Sequence, residues 1–290
     1  MNKEGSDIQT TSNINDVNQS ESFIRAQSIK QNFISSKTDG TGEFWWDYRI
    51  VAHALGSIEG YRATNSLEAM AINYTEYNTK LFEVDLILTS DDRLVARHDW
   101  LAYLYDLLGQ TSNKGKSSVP LSYEEFMNLY SFGKYEPLDI ETLILILQSH
   151  KDIYLITDTK YKESENITKQ FRILVDTVKK IDSSILDRLV VQIYNRQMYD
   201  LVTEIYPFKN IIYAVYANSD SQKEIINFCN EKEIYFVAIP TEKFNSEFIQ
   251  KLNQNGIKAY IHTVNTEEEK ETLKNIGVWG IYSDYLTGPW

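Results

Sequence analysis

Ile153-Tyr154-Leu155-Ile156-Thr157-Asp158-Thr159-Lys160 is followed by ITKQFRILVDTVKKI (167–181) and then by RLVVQIY (188–194). The two outer runs are short, continuous and apolar, as strands covered on both faces should be. The middle run places its apolar side chains at helical spacing. Strand, helix, strand in that order is the building unit of a parallel sheet.

Working outward, the unit repeats. Upstream stand RIVAHAL (49–55, strand), SLEAMAINYTEY (66–77, helix), FEVDLILT (82–89, strand) and DIETLILILQSH (139–150, helix). LVARHD (94–99) follows FEVDLILT across Ser90-Asp91-Asp92, which reads as a tight turn. Residues 101–136 are looser, with one short helix candidate, SYEEFMNLY (122–130). Downstream come RQMYDLVTEIY (196–206), NIIYAVYA (210–217), SQKEIINFCNEK (221–232), IYFVAIP (234–240), NSEFIQKLNQNG (245–256), IKAYIHTV (257–264), TEEEKETLKNIG (266–277) and VWGIYSDYL (278–286). Gly256 and Gly277 stand where helices must stop before the next strand. Eight strand–helix turns over roughly 245 residues match the ~250 typical of a (β/α)₈ TIM barrel. A doubly wound open sheet would share the alternation; the number of units and their total length favour the barrel.

Residues 1–43 are rich in Asn, Ser, Asp, Gln and Thr and poor in large apolar side chains. Such a segment buries too little surface to offset its ordering entropy. It reads as a polar tail or linker, with at most a short helix over 21–33, and residues 44–290 read as one domain. Phe44-Trp45-Trp46 reads as a cap on the barrel base.

Composition bounds the function. The formal net charge of −12 over 290 residues argues against a nucleic-acid binder, because no basic stripe would neutralise phosphates. It also disfavours simple adsorption to anionic lipid. Cys229, the only cysteine, lies beside Ile225, Ile226 and Phe228 and reads as a core thiol. No run approaches the ~20 apolar residues of a membrane span. The N-terminus lacks a signal-peptide core. The expected compartment is therefore cytoplasmic, or extracytoplasmic if a leader has been removed.

In a barrel the active site lies at the C-terminal ends of the strands. Polar residues gather there: His53, Glu83 and Asp85, His98, Asp158 and Lys160, Gln192 and Tyr194, Tyr216, His262, and Asp284. Glu83 and Asp85 point the same way by the period-two rule. They sit in an otherwise apolar strand, and burying a carboxylate pair without a cation is expensive. One bound Mg²⁺ or Ca²⁺ is the simplest compensation. Lys160 either neutralises a phosphate oxygen or pairs with Asp158. His262 reads as structural or as part of the substrate wall. Trp100 either covers the site mouth or anchors its loop, and Asp99 is placed to orient His98.

The specific motifs are His53, the run Tyr61 to Ala69 (YRATNSLEA), Phe82-Glu83-Val84-Asp85, Leu88-Thr89-Ser90-Asp91, His98-Asp99, Asp158-Thr159-Lys160 and Thr263-Val264-Asn265. Together they resemble the glycerophosphodiester phosphodiesterase family, in a bacterial-type branch. The resemblance implies a phosphatidylinositol-phosphodiesterase-like TIM barrel that hydrolyses a glycerol- or polyol-linked phosphodiester. It implies His53 and His98 as the catalytic acid/base pair and one divalent cation on Glu83, Asp85 and Asp158. Lys160, Arg62, Gln192, Tyr194 and His262 fall to substrate and phosphate binding. The family route also implies that a hydroxyl of the substrate attacks phosphorus to give a cyclic phosphate.

Three positions depart from the family pattern. Ala54-Leu55 replaces Arg-Gly after the first histidine, with Arg62 the candidate substitute for the missing guanidinium. Thr64 replaces a Glu before Asn65, and Asp158 is one methylene shorter than the usual Glu. The alternatives are a non-catalytic barrel that binds polyol phosphates, and a phospholipase-type lipid phosphodiesterase.

Overall fold

The computed structural model describes residues 7–110 and 118–290, with side chains from Glu21 onward. Gly115, in the looser stretch noted above, lies outside the described residues. Strands β1 (Ile50–Ala52), β2 (Leu81–Leu88), β3 (Leu94–Ala96), β4 (Tyr154–Asp158), β5 (Leu189–Ile193), β6 (Ile211–Ala214), β7 (Phe236–Pro240), β8 (Lys258–His262) and β9 (Gly280–Ser283) form one sheet. All neighbours except β3 pair in parallel, and β1 bonds both β2 and β9, so eight strands close on themselves. The expected barrel is what forms.

Helices run between the strands: α1 (Asp7–Ser35), α2 (Leu67–Tyr77), α3 (Ala102–Leu107), α4 (Tyr123–Met127), α5 (Ile140–Ser149), α6 (Ser164–Ile181), α7 (Arg196–Ile205), α8 (Gln222–Glu231), α9 (Ser246–Gln254) and α10 (Glu267–Ile276). Their starts are written in the sequence. Ser66, Asp139, Asn195, Ser221, Asn245 and Thr266 each accept an amide N–H from the first turn. No described helix is long and apolar enough to cross a membrane.

β3 is the small antiparallel partner of β2, joined through the turn at Thr89–Arg93. This hairpin has a functional consequence. The Arg97 N–H donates to Asp85 O at 2.9 Å, so the chain leaves β3 beside the end of β2 and delivers His98 there. Trp100 anchors the loop: it is buried and stands edge-on to Phe126. Trp45 fills the opposite end of the barrel against Phe236 and Tyr260. Cys229 is buried in the core, and its thiol is pushed up to about 12 by burial.

The N-terminal segment differs from a loose tail. It forms a helix of 29 residues whose later turns pack on α2. Ala26, Lys30 and Phe33 are buried and fall on one face at i, i+4, i+7. Its composition is poor in apolar side chains, but this helix needs only a narrow apolar face, and its most buried polar member is a lysine. Lys30 Nζ lies 2.8 Å from both Glu68 and Glu136, and Phe33 stacks on His150 with ring centroids 4.3 Å apart.

Truncation to Glu43 would remove both the Lys30 cation and the helix that covers Glu68, and would expose the apolar surface that Ala26 and Phe33 bury. Losing the burial of Phe33 and its apolar neighbours costs about 3 kcal/mol, and each kcal/mol moves the midpoint by roughly 2–4 °C in a domain of about this size. We therefore expect the truncated chain to melt about 10 °C lower in a thermal scan. An unchanged midpoint would return residues 1–43 to the role of a linker.

Candidate active site

The strand ends converge as the period-two pattern requires. β2 and β4 pair with Asp85 opposite Asp158, and Glu83 lies two residues below Asp85 on the same face. Glu83, Asp85 and Asp158 are buried, and each offers an oxygen within 4.8 Å of the others. Oxygen ligands about 2.0–2.6 Å from a hard cation stand at most about 4–5 Å apart across it. The spacing therefore suits one shared divalent ion.

The surrounding bonds hold the carboxylates in place while leaving oxygens over. Glu83 Oε2 accepts the Ala54 N–H at 2.8 Å, and Glu83 Oε1 is buried with no hydrogen-bond partner. Asp85 Oδ2 accepts from Asn65 Nδ2 at 2.9 Å, while Asn65 Oδ1 accepts the Asp85 N–H at 3.1 Å. Asp85 Oδ1 makes no hydrogen bond of good geometry, although Lys160 Nζ lies 3.0 Å away. Asp158 is more crowded, accepting from Lys160, Tyr194 and Tyr216. Glu83 Oε1, buried with no partner, costs free energy unless a cation satisfies it, so the residues present fit a metal. Burial first, then Asp85, pushes Glu83 upward from the usual carboxylate range. Burial acts the same way on Asp85, but Lys160 and the two histidines outweigh it and hold Asp85 low.

The two histidines are mounted alike. His53 Nδ1 donates to Asp284 Oδ1 at 2.8 Å, and His98 Nδ1 lies 2.7 Å from Asp99 Oδ2. Each ring is thereby fixed through one nitrogen, with Nε2 left for chemistry. Asp284 is held by Asn265 Nδ2 at 2.9 Å, and Tyr103 donates its hydroxyl to Asp99. Burial opposes protonation of His53, but the Asp284 hydrogen bond and the Glu83 and Asp85 charges raise it to about 9.

Backbone strain gathers around the same residues. Ala54 (φ 49°), Leu55 (φ 66°), Ala63 (φ 60°), Asn65 (φ 46°) and Lys160 (φ 50°) all lie in the left-handed region that favours glycine. The left-handed turn at Ala54 aims its N–H at Glu83, so the strain sets a hydrogen bond in the site.

His53, Arg62, Glu83, His98, Asp158, Lys160, Gln192 and His262 line one cavity of about 480 Å³ at this end of the barrel. Tyr194 differs from the sequence reading. Its ring is buried and its hydroxyl engages Asp158, so it braces a carboxylate instead of facing the cavity. Lys160 pairs with Asp158 and Asp85 while its side chain also reaches the cavity. Arg62 is half-exposed, 3.5 Å from Asp284. Sequence reasoning missed the bracing roles of Asn65 and Tyr103. Asn65 carries a signal in hindsight, two residues before a helix and in a strained conformation; Tyr103, five residues after His98, carries none.

The family model for the glycerophosphoryl diester phosphodiesterase family matches residues 58–287. The chain belongs to that family. It is thus a phosphoric diester hydrolase of glycerophosphodiesters. It is 27% identical over 256 residues to YhdW of Bacillus subtilis (strain 168), a provisionally named glycerophosphodiester phosphodiesterase, covering 81% of this chain and 94% of that protein. Solved structures share the fold at lower identity. The glycerophosphodiester phosphodiesterase from Parabacteroides distasonis ATCC 8503 superposes with a TM-score of 0.64 at 20% identity, covering 81% of this chain and 92% of the other. An Oleispira antarctica phosphodiesterase, solved with the product sn-glycerol-3-phosphate, gives 0.65 at 17%, covering 82% and 93%. His53, His98, Glu83 and Asp158 line a common cavity, with Asp85 buried beside the two carboxylates.

Proposed function

We propose that the protein hydrolyses glycerophosphodiesters by acid/base catalysis from His53 and His98 over a divalent cation held by Glu83, Asp85 and Asp158. The observation that carries this reading is the matched mounting of the two imidazoles. Both are fixed at Nδ1 by an aspartate, on the rim of a cavity lined by Glu83 and Asp158, where Glu83 Oε1 is buried and unpaired. One histidine withdraws a proton from the attacking hydroxyl and the other protonates the leaving alcohol. An all-oxygen ligand set favours Mg²⁺ or Ca²⁺ over zinc. When bound, the cation would neutralise charge on the phosphoryl oxygens. Lys160 reaches the cavity as a second positive charge for those oxygens, with Arg62 at the rim and Gln192 and His262 on the wall beyond.

The Oleispira antarctica relative holds sn-glycerol-3-phosphate as product, which supports the same product here. The test is release of sn-glycerol-3-phosphate and free alcohol from a glycerophosphodiester, with and without a divalent chelator. Turnover that survives complete removal of divalent ions would refute the cation's role. No turnover in any divalent ion would favour a non-catalytic binding barrel.

Asn65 gives a finer check, because it clamps Asp85 from both sides. Loss of such a ligand-orienting partner typically weakens metal binding about 10- to 100-fold. Asn65→Ala should show that loss in a calorimetric titration of Mg²⁺ or Ca²⁺ while folding is retained. Unchanged affinity would mean that Asp85 orients itself.

A further inference from the structure

The cavity has two unlike walls. One carries the reactive set described above, from β1 to β4. The rest of the lining, from β6 round to β9, includes Tyr216, Glu242, His262 and Tyr282. Its only formal charge is Glu242. That residue stands in the single turn Thr241–Lys243 directly after β7, two residues past Pro240, which pairs in register with His262. The Glu242 carboxylate takes part in no hydrogen bond or ion pair among the described residues. The neighbouring Lys243 does not neutralise it, because its ammonium donates to the carbonyls of Val215, Tyr216 and Asn218 at 2.9, 3.2 and 3.0 Å.

Glu242 is exposed to solvent, whereas His262 supplies a buried unmet group. Its Nε2 is buried without a hydrogen-bond partner. Burial and the nearby His53 hold this imidazole down to about 4, so at neutral pH it brings no positive charge to the wall. Tyr216 and Tyr282 flank it edge-on, their hydroxyls already engaged by Asp158 and Gln192.

We propose that this wall receives the alcohol half of the diester and selects an alcohol bearing a primary ammonium, with Glu242 as the specificity-determining residue. The proposal rests on the reading of the site given above and names its substrate class. An ammonium brings positive charge and several N–H donors. It meets an unpaired carboxylate and a neutral imidazole able to accept a hydrogen bond. A quaternary ammonium would leave the buried Nε2 unmet, and an anionic alcohol would be repelled by Glu242. A neutral polyol would gain a hydrogen bond to Glu242 without the charge attraction.

The experiment compares glycerophosphoethanolamine with glycerophosphoglycerol. The unmodified protein should prefer the ethanolamine diester in kcat/KM. In Glu242→Gln the ratio of the two kcat/KM values should fall by roughly two- to fivefold, the range of an exposed charge pair. Glu242→Lys should reverse the preference. An unchanged ratio in Glu242→Gln would overturn the proposal, and so would an equal loss on both diesters, which would assign Glu242 to the shared glycerol half. Calorimetric binding of the two diesters to His98→Ala, with and without Glu242→Gln, reads the same ratio without turnover. If neither diester is hydrolysed by the unmodified protein, the catalytic reading fails, and the binding ratio still decides the role of Glu242.

Discussion

His53→Ala and His98→Ala should each lower the turnover of a glycerophosphodiester by about two to four orders of magnitude, the usual worth of a positioned acid or base. The mounting of the rings also predicts how the loss is distributed. Each imidazole is tied down at Nδ1 by an aspartate and offers only Nε2 to the cavity. Removing it takes away a proton donor or acceptor and leaves the carboxylate floor standing. The fall should therefore appear mainly in kcat, with the affinity for product altered little. Folding should be retained, because both side chains are partly exposed at the barrel mouth and contribute little to core packing. His262→Ala should reduce turnover far less, since no aspartate mounts its ring among the described residues. Steady-state kinetics on the three variants, with circular dichroism as a folding control, checks the set. Near-normal kcat in either of the first two would remove that histidine from the mechanism.

Some parts of this molecule were legible in sequence because their causes are local. Strands such as Leu189–Ile193 are apolar on both faces, and that alone marks them as covered on both sides. Glu83 and Asp85 share a face because a strand has period two, and the hairpin turn at Thr89–Arg93 places His98 near them. Other parts have non-local causes. The aspartate that mounts His53 is Asp284, 231 residues away, and it meets the ring only because β1 and β9 close the barrel. Ser283 pairs with Ala52 in that closure, which sets Asp284 beside His53.

The first helix failed to show for a different reason. Composition was judged over the whole segment, whereas its packing depends on Ala26, Lys30 and Phe33, and on a carboxylate, Glu68, supplied by another helix. Lys160 remained open between two roles because both are electrostatic, and the sequence does not say how many anions surround it. In the structure it stands against two carboxylates at once, in the place where positive charge is most needed.

Removing the hydroxyl next to the phosphoester should slow the reaction by at least about three orders of magnitude while leaving binding within roughly tenfold. The family route makes a substrate hydroxyl the attacking group. The site is consistent with that: no Ser, Thr or Cys among the cavity-lining residues is paired with an activating base. Thr241 and Thr263 line the cavity, but neither has a hydrogen bond to a histidine or carboxylate among the described residues. The sole cysteine is buried in the core, away from the cavity. A hydroxyl already attached to the substrate gains an effective molarity of about 10⁵ M or more when held near phosphorus. The proposed histidine pair and cation would then suffice, with no activated protein nucleophile. A deoxy or O-methyl analogue keeps the phosphate and the alcohol that the two walls hold, so it should still occupy the site and compete with substrate. Inhibition constants and turnover for the hydroxyl and deoxy diesters separate the two effects. Equal turnover of both would exclude internal attack and require water as the nucleophile, with His53 and His98 acting on that water in place of the hydroxyl.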